Sequence, residues 1–387
     1  MSRSVLIIAG EISGDMHAAR VVEAIRKREP DISFWGVGGD ELEKAGVEVL
    51  YHVRDMAVLG LTEVLRKYFF FRKVFSELTA LAIDRKPNAV LLVDYPGFNL
   101  PFARNMHIQG VKVLYYICPQ VWAWRRSRIK RMARDIDRLF VIFPFEVDVF
   151  NGTGLRVDFV GHPLVDDALG VIDEGGVGQS WPQEECVALL PGSRVQEVEK
   201  ILPLMLETAR MIAMSRGHTS FIIAAPSEKI ADVASGIVDA SSGKPSSLHI
   251  VTGKTREALK KARAAMVASG TATIDAALMR CPMVVVYKTA AMTYWFGRRL
   301  VCVPYIGMVN IVAGRRICPE FIQEQAVPEN MATSMELLLD DSPERRAMIQ
   351  DLASVSDMLG QGGAASRTAD LIMEELEIPT ADQSPNT

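Results

Sequence analysis

The sequence predicts an α/β protein built from two successive doubly wound domains. Three observations predict it. The apolar runs are continuous rather than alternating, helical stretches separate them, and a glycine-rich break divides two halves that follow the same alternation. Continuous aliphatic runs of strand length suit strands buried on both faces of a parallel sheet. Strand–helix alternation is the pattern of parallel α/β units.

In the first half, strands are expected at Val5–Ala9, Ser33–Val37, Ala89–Val93, Val111–Tyr116, Arg138–Ile142 and Val157–Val160. The opening unit runs from Val5–Ala9 through Gly10-Glu11-Ile12-Ser13-Gly14-Asp15 into a helical pattern ending near Arg28. Gly170 to Pro182, with four glycines and a proline, reads as a linker. The pattern then restarts, with strands at Cys186–Leu190, Ser220–Ala224, Leu248–Val251, Ala265–Ala268 and Met283–Tyr287. The expected divisions are therefore a first domain over 1–169, a linker over 170–182, a second domain over 183–342, helices over 343–376 that pack back toward the first domain, and a frayed tail over 377–387. Ligands of open parallel sheets bind beyond the carboxyl ends of the strands, so two such domains are expected to face a central cleft.

With 387 residues, 49% hydrophobic and 23% charged, the chain has ample material for globular cores. A formal net charge of -4 argues against nucleic acid as a partner. Five scattered cysteines without a CxxC pair read as reduced thiols, not as a disulfide frame or zinc site. The apolar start, Val5–Ala9, is too short for a signal peptide. No apolar run approaches the roughly 18 residues of a spanning helix, which leaves surface association with a membrane open.

Six constellations carry candidate chemistry. Leu190-Pro191-Gly192-Ser193-Arg194 stands between a strand and a helix. Helix N-termini attract anions, glycine lets backbone approach a ligand, and a guanidinium forks onto phosphate oxygens. The same pattern fits an ordinary strand–helix turn with a surface arginine. Ser269-Gly270-Thr271 occupies the equivalent place after Ala265–Ala268. Alone it reads as an N-cap; together the two loops suit a diphosphate. Glu11 and Asp15 bring two carboxylates to a glycine loop, suited either to sugar hydroxyls or to a helix start. Asp94, at the end of a strand in Asp94-Tyr95-Pro96-Gly97-Phe98-Asn99, occupies a favoured place for a catalytic base, and equally for an aspartate that shapes the turn. Trp122, Trp124, Arg125 and Arg126 open a basic, aromatic stretch suited to anionic headgroups, or a solvated helix face with one buried Trp. Leu61, Val64 and Leu65 lead into Tyr68-Phe69-Phe70-Phe71 between cation pairs, an interfacial membrane pattern or a helix half buried on the sheet. His162, in Gly161-His162-Pro163, stands at the domain boundary, to touch substrate or to cap the domain edge.

Taken in order, Ala9–Asp15, Val58–Leu65, Asp94–Asn99, Pro119–Arg125, Phe143–Glu146, Gly161–Pro163, Leu190–Arg194, Ser269–Ala272 and Asn310–Arg315 resemble the lipid-A-disaccharide synthase family over roughly residues 4 to 375. The resemblance implies a GT-B fold of two Rossmann-like domains and an inverting transfer without metal or other cofactor. It implies UDP-2,3-diacylglucosamine as donor and 2,3-diacylglucosamine 1-phosphate, a lipid-linked sugar, as acceptor. It also implies a peripheral place on the cytoplasmic face of a Gram-negative inner membrane, and a possible homodimer. On this reading the first domain takes the acceptor and carries the membrane-contact segment, and the second takes the UDP-sugar. Gly192, Ser193, Arg194, Ser269, Gly270 and Thr271 hold the diphosphate, Asn310, Gly314 and Arg315 line the cleft, and Glu320 reaches the ribose. Asp94 is the expected base, with Glu11 and Asp15 behind it. Ser13, His162, the Leu61–Phe71 segment and the Trp122–Arg126 stretch meet the acceptor and the bilayer. Some members carry a second aspartate where this chain has Gly97, which leaves open which carboxylate acts. Competing readings are a UDP-sugar 2-epimerase or soluble glycosyltransferase on the same fold, and a non-catalytic nucleotide-sugar or lipid binding module. Lipid dependence and UDP release separate them.

Overall fold

The computed structural model describes residues 3–56, 63–124, 126–173, 185–289 and 303–377, with side chains of the helix Glu63–Arg85 described from Tyr68 onward. The chain forms two compact units, one of Met1–Pro163 with Gly362–Thr387 and one of Leu164–Gln361.

The first unit holds a seven-stranded parallel sheet: β1 Ser4–Ala9, β2 Ser33–Gly38, β3 Glu48–His52, β4 Ala89–Val93, β5 Lys112–Tyr116, β6 Arg138–Val141 and β7 Arg156–Phe159. Their order is β3-β2-β1-β4-β5-β6-β7. The second unit holds six: β8 Cys186–Leu190, β9 Ser220–Ala225, β10 Leu248–Thr252, β11 Ala264–Ala268, β12 Met283–Tyr287 and β13 Glu320–Ile322, in the order β10-β9-β8-β11-β12-β13. Every pairing in both sheets is parallel. The apolar runs are continuous because both faces are covered. Leu6, Ile8, Val90, Leu92, Val113, Tyr115, Leu139 and Val141 belong to one core cluster, while their alternates Val5, Ile7, Leu91 and Leu114 are equally buried on the other face.

Two strands have no counterpart in the sequence reading. β3 is a half-exposed edge strand carrying Glu48 and His52, and β13 has three residues. The divisions also differ from the expected ones. The helix Leu164–Asp173 belongs to the second unit and runs past the expected linker start at Gly170. Lys260 Nζ donates to the Val171 and Ile172 carbonyls at 2.9 Å, and Arg256 bridges Asp167 at 3.3 Å and Asp275 at 2.7 Å. A cation on the open carbonyls of a helix end is favourable, and it pins this helix to the unit that follows. Of the expected terminal helices, Pro343–Met358 stays with the second unit and only Ala364–Glu377 rejoins the first.

Buried charge secures that return. Lys112, Arg138 and Arg156 are the first residues of β5, β6 and β7, and all three reach the buried Glu375 carboxylate, at 3.3, 3.2 and 2.6 Å. Arg28 adds an ion pair to Asp370 at 2.9 Å. Removing one partner of a buried ionic group leaves the others desolvated, at about 3–5 kcal/mol. Glu375→Ala is therefore expected to lower unfolding stability by about 3 kcal/mol, with Arg138 keeping its bonds to Asp158 and Glu374. Urea denaturation measures this, and an unchanged midpoint contradicts the tie.

Candidate active site

In the first sheet the strand order reverses between β1 and β4. Such a switch point opens a crevice at the carboxyl ends, because the chain winds away from it in opposite directions. Ala9 lies beside Val93 in register, so the loops after β1 and β4 leave the sheet side by side. Both carry candidate carboxylates.

Asp94 and Tyr95 follow β4 with φ of 44° and 48°, two successive left-handed residues that are not glycine. Each costs about 1–3 kcal/mol. The Asp94 N–H donates to the Tyr116 carbonyl at 3.0 Å. The Asp94 carbonyl accepts from Tyr115 Oη at 2.5 Å and from Asn99 Nδ2 at 2.7 Å. The Tyr95 carbonyl accepts from the Phe98 and Asn99 N–H groups at 3.2 and 3.0 Å, and at about 0.5–1.5 kcal/mol each these bonds are comparable to the strain. Packing adds to them: the Tyr95 ring lies on Gly10, where an added Cβ would stand 2.3 Å from Tyr95 Cδ1. The turn thus holds the Asp94 backbone and leaves the residue half-buried. Burial pushes its carboxyl up to about 6. The neighbouring Glu11 carboxylate adds to the shift, and a hydrogen bond from the Tyr95 backbone opposes it.

Glu11 and Ser13 are exposed at the start of the helix Ile12–Arg26. Asp15, expected beside them, is buried and committed elsewhere. Its oxygens accept the N–H groups of Gly39 at 2.6 Å, Glu41 at 3.0 Å and Leu42 at 3.2 Å. It caps the helix Asp40–Lys44, which removes it from the candidate bases. Gly97 is exposed, and a side chain there would meet nothing within 4 Å.

The second sheet reverses between β8 and β11, and the two expected phosphate loops follow those two strands. Gly192 adopts φ +121°, and an added Cβ would stand 2.7 Å from Glu197 Oε2. Arg194 is the extended N-cap of the helix Val195–Ser215 and makes no side-chain cap bond. Its side chain is 81% exposed, and Nη1 donates to Glu197 Oε1 at 2.8 Å. The Ser193 N–H donates to Glu197 Oε2 at 3.3 Å. On the other loop, Ser269 Oγ donates to the Ile306 carbonyl at 2.9 Å, and the exposed Thr271 precedes the helix Ala272–Leu278, again without a side-chain cap. Gly270 sits between them with open space around it.

The remaining residues expected on this unit serve its own framework. Asn310 is buried. Its amide donates to the Cys318 carbonyl and to Glu320 Oε1, both at 2.9 Å, and its oxygen accepts from the Ile317 and Cys318 N–H groups. Glu320 is buried too and accepts from the Ile306 and Gly307 N–H groups. The pair latches the 306–320 segment, and ribose binding by Glu320 would require giving up these bonds. Gly314 ends the helix Met308–Ala313 with φ 67°, and Arg315 pairs with Asp351 on the surface.

The expected acceptor and lipid contacts divide by burial. Tyr68 and Phe69 are exposed, with Arg72 over the Tyr68 ring, while Phe70 and Phe71 pack against the core. A helix on a sheet shows only one stripe to solvent, so the aromatic run splits between two faces. Trp122 and His162 are buried, and Trp124 and Arg126 are exposed. Leu61 and Arg125 lie outside the described residues, as do the side chains of Val64 and Leu65. Among the described residues, no group of His, Cys, Asp and Glu is arranged to hold a metal ion, and no helix is long and apolar enough to cross a membrane.

A family model described as lipid-A-disaccharide synthetase matches residues 5–370. The chain belongs to the lipid-A-disaccharide synthase family. The synthase of Syntrophus aciditrophicus is 42% identical over 371 residues, covering 95% of this chain and 96% of its own. That of Myxococcus xanthus is 38% identical over 379 residues, covering 96% and 97%. Among solved structures, the UDP-GlcNAc 2-epimerase of Neisseria meningitidis, determined with UDP-GlcNAc bound, superposes with a TM-score of 0.64 at 12% identity over 96% of this chain and all of that one. A calicheamicin glycosyltransferase reaches 0.61 at 15% identity, covering 97% of this chain and 98% of that one. The fold is thus GT-B, with two Rossmann-like domains, and sequence separates the lipid-A-disaccharide synthases from the other enzymes that share it.

Within this family member, Gly10, Tyr95, Tyr115 and Glu197 also shape the site, in roles the sequence reading did not assign. A tyrosine beside Asp94 and a glutamate three residues past Arg194 were visible signals; only the strand order shows what they meet. Gly10→Ala is expected to displace the Tyr95 ring and cut turnover, while Gly97→Ala, free of contacts and inside a helix, is expected to gain about 0.5–1 kcal/mol of stability. Thermal unfolding and turnover of the two variants check this; equal behaviour of the pair contradicts the packing argument.

Proposed function

We propose that this chain is the inverting glycosyltransferase of lipid A assembly that joins UDP-2,3-diacylglucosamine to 2,3-diacylglucosamine 1-phosphate, releasing UDP and a β-1',6-linked disaccharide 1-phosphate. Membership of the lipid-A-disaccharide synthase family carries the reading, and the strained turn at the switch point of the first sheet supplies a candidate base in Asp94, whose carboxyl is pushed up to about 6 by burial. A base works best with a pKa near the operating pH, and Asp94 is ionised and still basic at neutrality. Its carboxylate takes the proton of the acceptor 6-hydroxyl as that oxygen attacks the anomeric carbon. The bond from that carbon to the diphosphate breaks, and the electron pair leaves with UDP.

Charge on the departing diphosphate is met by Arg194, by the backbone at Gly192–Ser193 and by the Ser269–Thr271 turn, without a metal ion. The exposed Arg194 side chain and the absence of side-chain caps on both following helices favour this assignment. Fixed donors of this kind contribute about 2.7–4 kcal/mol each to a transition state. Exposed Tyr68 and Phe69, with Arg126, Lys130 and Arg131 exposed on a separate surface stretch, suit acyl chains and anionic headgroups. They support a peripheral place on the cytoplasmic face of the inner membrane.

Two variants test the assignment, with UDP release measured from a radiolabelled donor and lipid acceptor. Arg194→Ala is expected to lower kcat by about 10²–10³ with unchanged thermal stability; wild-type turnover removes the phosphate role. For Asp94 the sign follows from ionisation: below about 6 the carboxyl is protonated and cannot accept, so kcat rises with pH through that value and then levels. Asp94→Asn is expected to lose about 10²–10⁴ in kcat together with this acid limb. A variant that keeps the limb contradicts the base assignment.

A further inference from the structure

Three segments beyond the carboxyl ends of β5, β6 and β7 meet in the first unit. Trp122 comes from the first, Phe143, Phe145 and Glu146 from the second, and His162 from the third. Glu146 is 1% exposed. Its Oε1 accepts from Trp122 Nε1 at 3.0 Å, and its Oε2 accepts from the Phe143 N–H at 3.1 Å. The rings close around it: Trp122 meets Phe145 edge-on at 5.0 Å, Phe145 stacks on Phe143 at 5.7 Å, and Phe143 rests against His162 at 5.0 Å.

A carboxyl sunk among four rings is a poor choice for stability. Apolar side chains of similar volume fill such places at no loss, and an isolated buried acid carries a desolvation penalty. Burial does push this carboxyl up, to about 8, against the pull of hydrogen bonds from Trp122 and from the Phe143 and Ile142 backbone, and with help from the Asp94 carboxylate nearby. Beyond the burial of Cys118, Val121 and Ala123 on the loop after β5, Glu146 adds a directional tie that sets the orientation of the Trp122 indole. Ile117, the first residue past β5, is left-handed at φ 64°, a conformation rare for a β-branched residue. From there the chain runs through buried Trp122 to exposed Trp124. A strained exit followed by an exposed aromatic needs an anchor between them, and the indole N–H on Glu146 is that anchor.

We propose that Glu146 is a positioning residue for the acceptor: by clamping the Trp122 indole to the loop after β6, it fixes the Cys118–Trp124 loop and so the exposed Trp124 surface on which the lipid-linked sugar is received. The proposal rests on the transferase reading above. Glu146 touches neither substrate. It acts on acceptor recognition, so its loss separates the two Michaelis constants, which a general loosening of the fold would not do.

The experiment uses the full chain in detergent micelles, with donor and lipid acceptor varied in turn. Glu146→Ala is expected to raise the acceptor KM about tenfold, the loss of a hydrogen bond to a buried partner, with the donor KM within twofold of wild type. Trp122→Phe keeps the ring, removes the N–H and is expected to reproduce the effect. Glu146→Gln keeps an accepting oxygen for the indole and is expected to restore part of the affinity, and the double variant Glu146→Ala with Trp122→Phe is expected to be no worse than either alone. Should Glu146→Ala fold poorly, Trp122→Phe and Glu146→Gln carry the test. An unchanged acceptor KM in Trp122→Phe, or equal rises in both constants, overturns the positioning role while leaving the transferase reading intact. A wild-type protein that releases no UDP overturns both.

Discussion

The Tyr95 ring can lie on Gly10 only because no side chain stands there, and the rest of the first domain's site depends on that contact. It helps hold two left-handed residues in a row at the end of β4, together with their hydrogen bonds. Tyr115 and Asn99 fix the Asp94 carbonyl from below. With the backbone immobilised, the carboxyl stays in one half-buried place next to Glu11, and that place sets its proton affinity. Strain, packing and acidity are here one arrangement: relaxing the turn would solvate the carboxyl and return it toward ordinary acidity.

The two domains use the same topological device for opposite electrostatic ends. Each sheet reverses its strand order once, and each places two loops at the reversal. The first domain fills its loops with Glu11 and Asp94, suited to hydroxyls and proton transfer. The second fills them with Gly192, Ser193, Arg194, Ser269 and Thr271, suited to a diphosphate. In the second domain, Glu197 folds its carboxylate over the Gly192–Arg194 loop and holds the guanidinium by an exposed pair. Such a pair is weak, so the arginine can exchange it for phosphate oxygens.

Much of the fold was legible because buried parallel strands announce themselves as unbroken apolar runs. β1, β4 and β8 carry almost nothing but aliphatic residues, and the strand positions read from them stand. β3 escaped because an edge strand is half solvated and mixes Glu48 and His52 with its apolar residues, and β13 because three residues carry no period. The site was less legible, for a different reason. A carboxylate in a glycine loop looks the same whether it faces solvent, as Glu11 does, or caps a distant helix, as Asp15 does. Asn310 and Glu320 likewise read as polar candidates until their partners across the 306–320 segment are seen. Aromatic runs have the same ambiguity, and Phe70 and Phe71 turned inward where Tyr68 and Phe69 did not. Spacing along the chain shows which residue types are present; only tertiary contacts show whose hydrogen bonds are already spent.

The fold itself, before any substrate arrives, holds Asp94 as a carboxylate ionised at neutral pH yet more basic than an ordinary aspartate. A carbon-13 NMR titration of the aspartate carboxyl resonances, with Asp94 assigned by its loss in Asp94→Asn, measures this directly. The expected midpoint is about 6, moving down in Gly10→Ala as the turn loosens. A midpoint near 3.8, the ordinary value for an aspartate, would show that the turn leaves the carboxyl unperturbed and would contradict it.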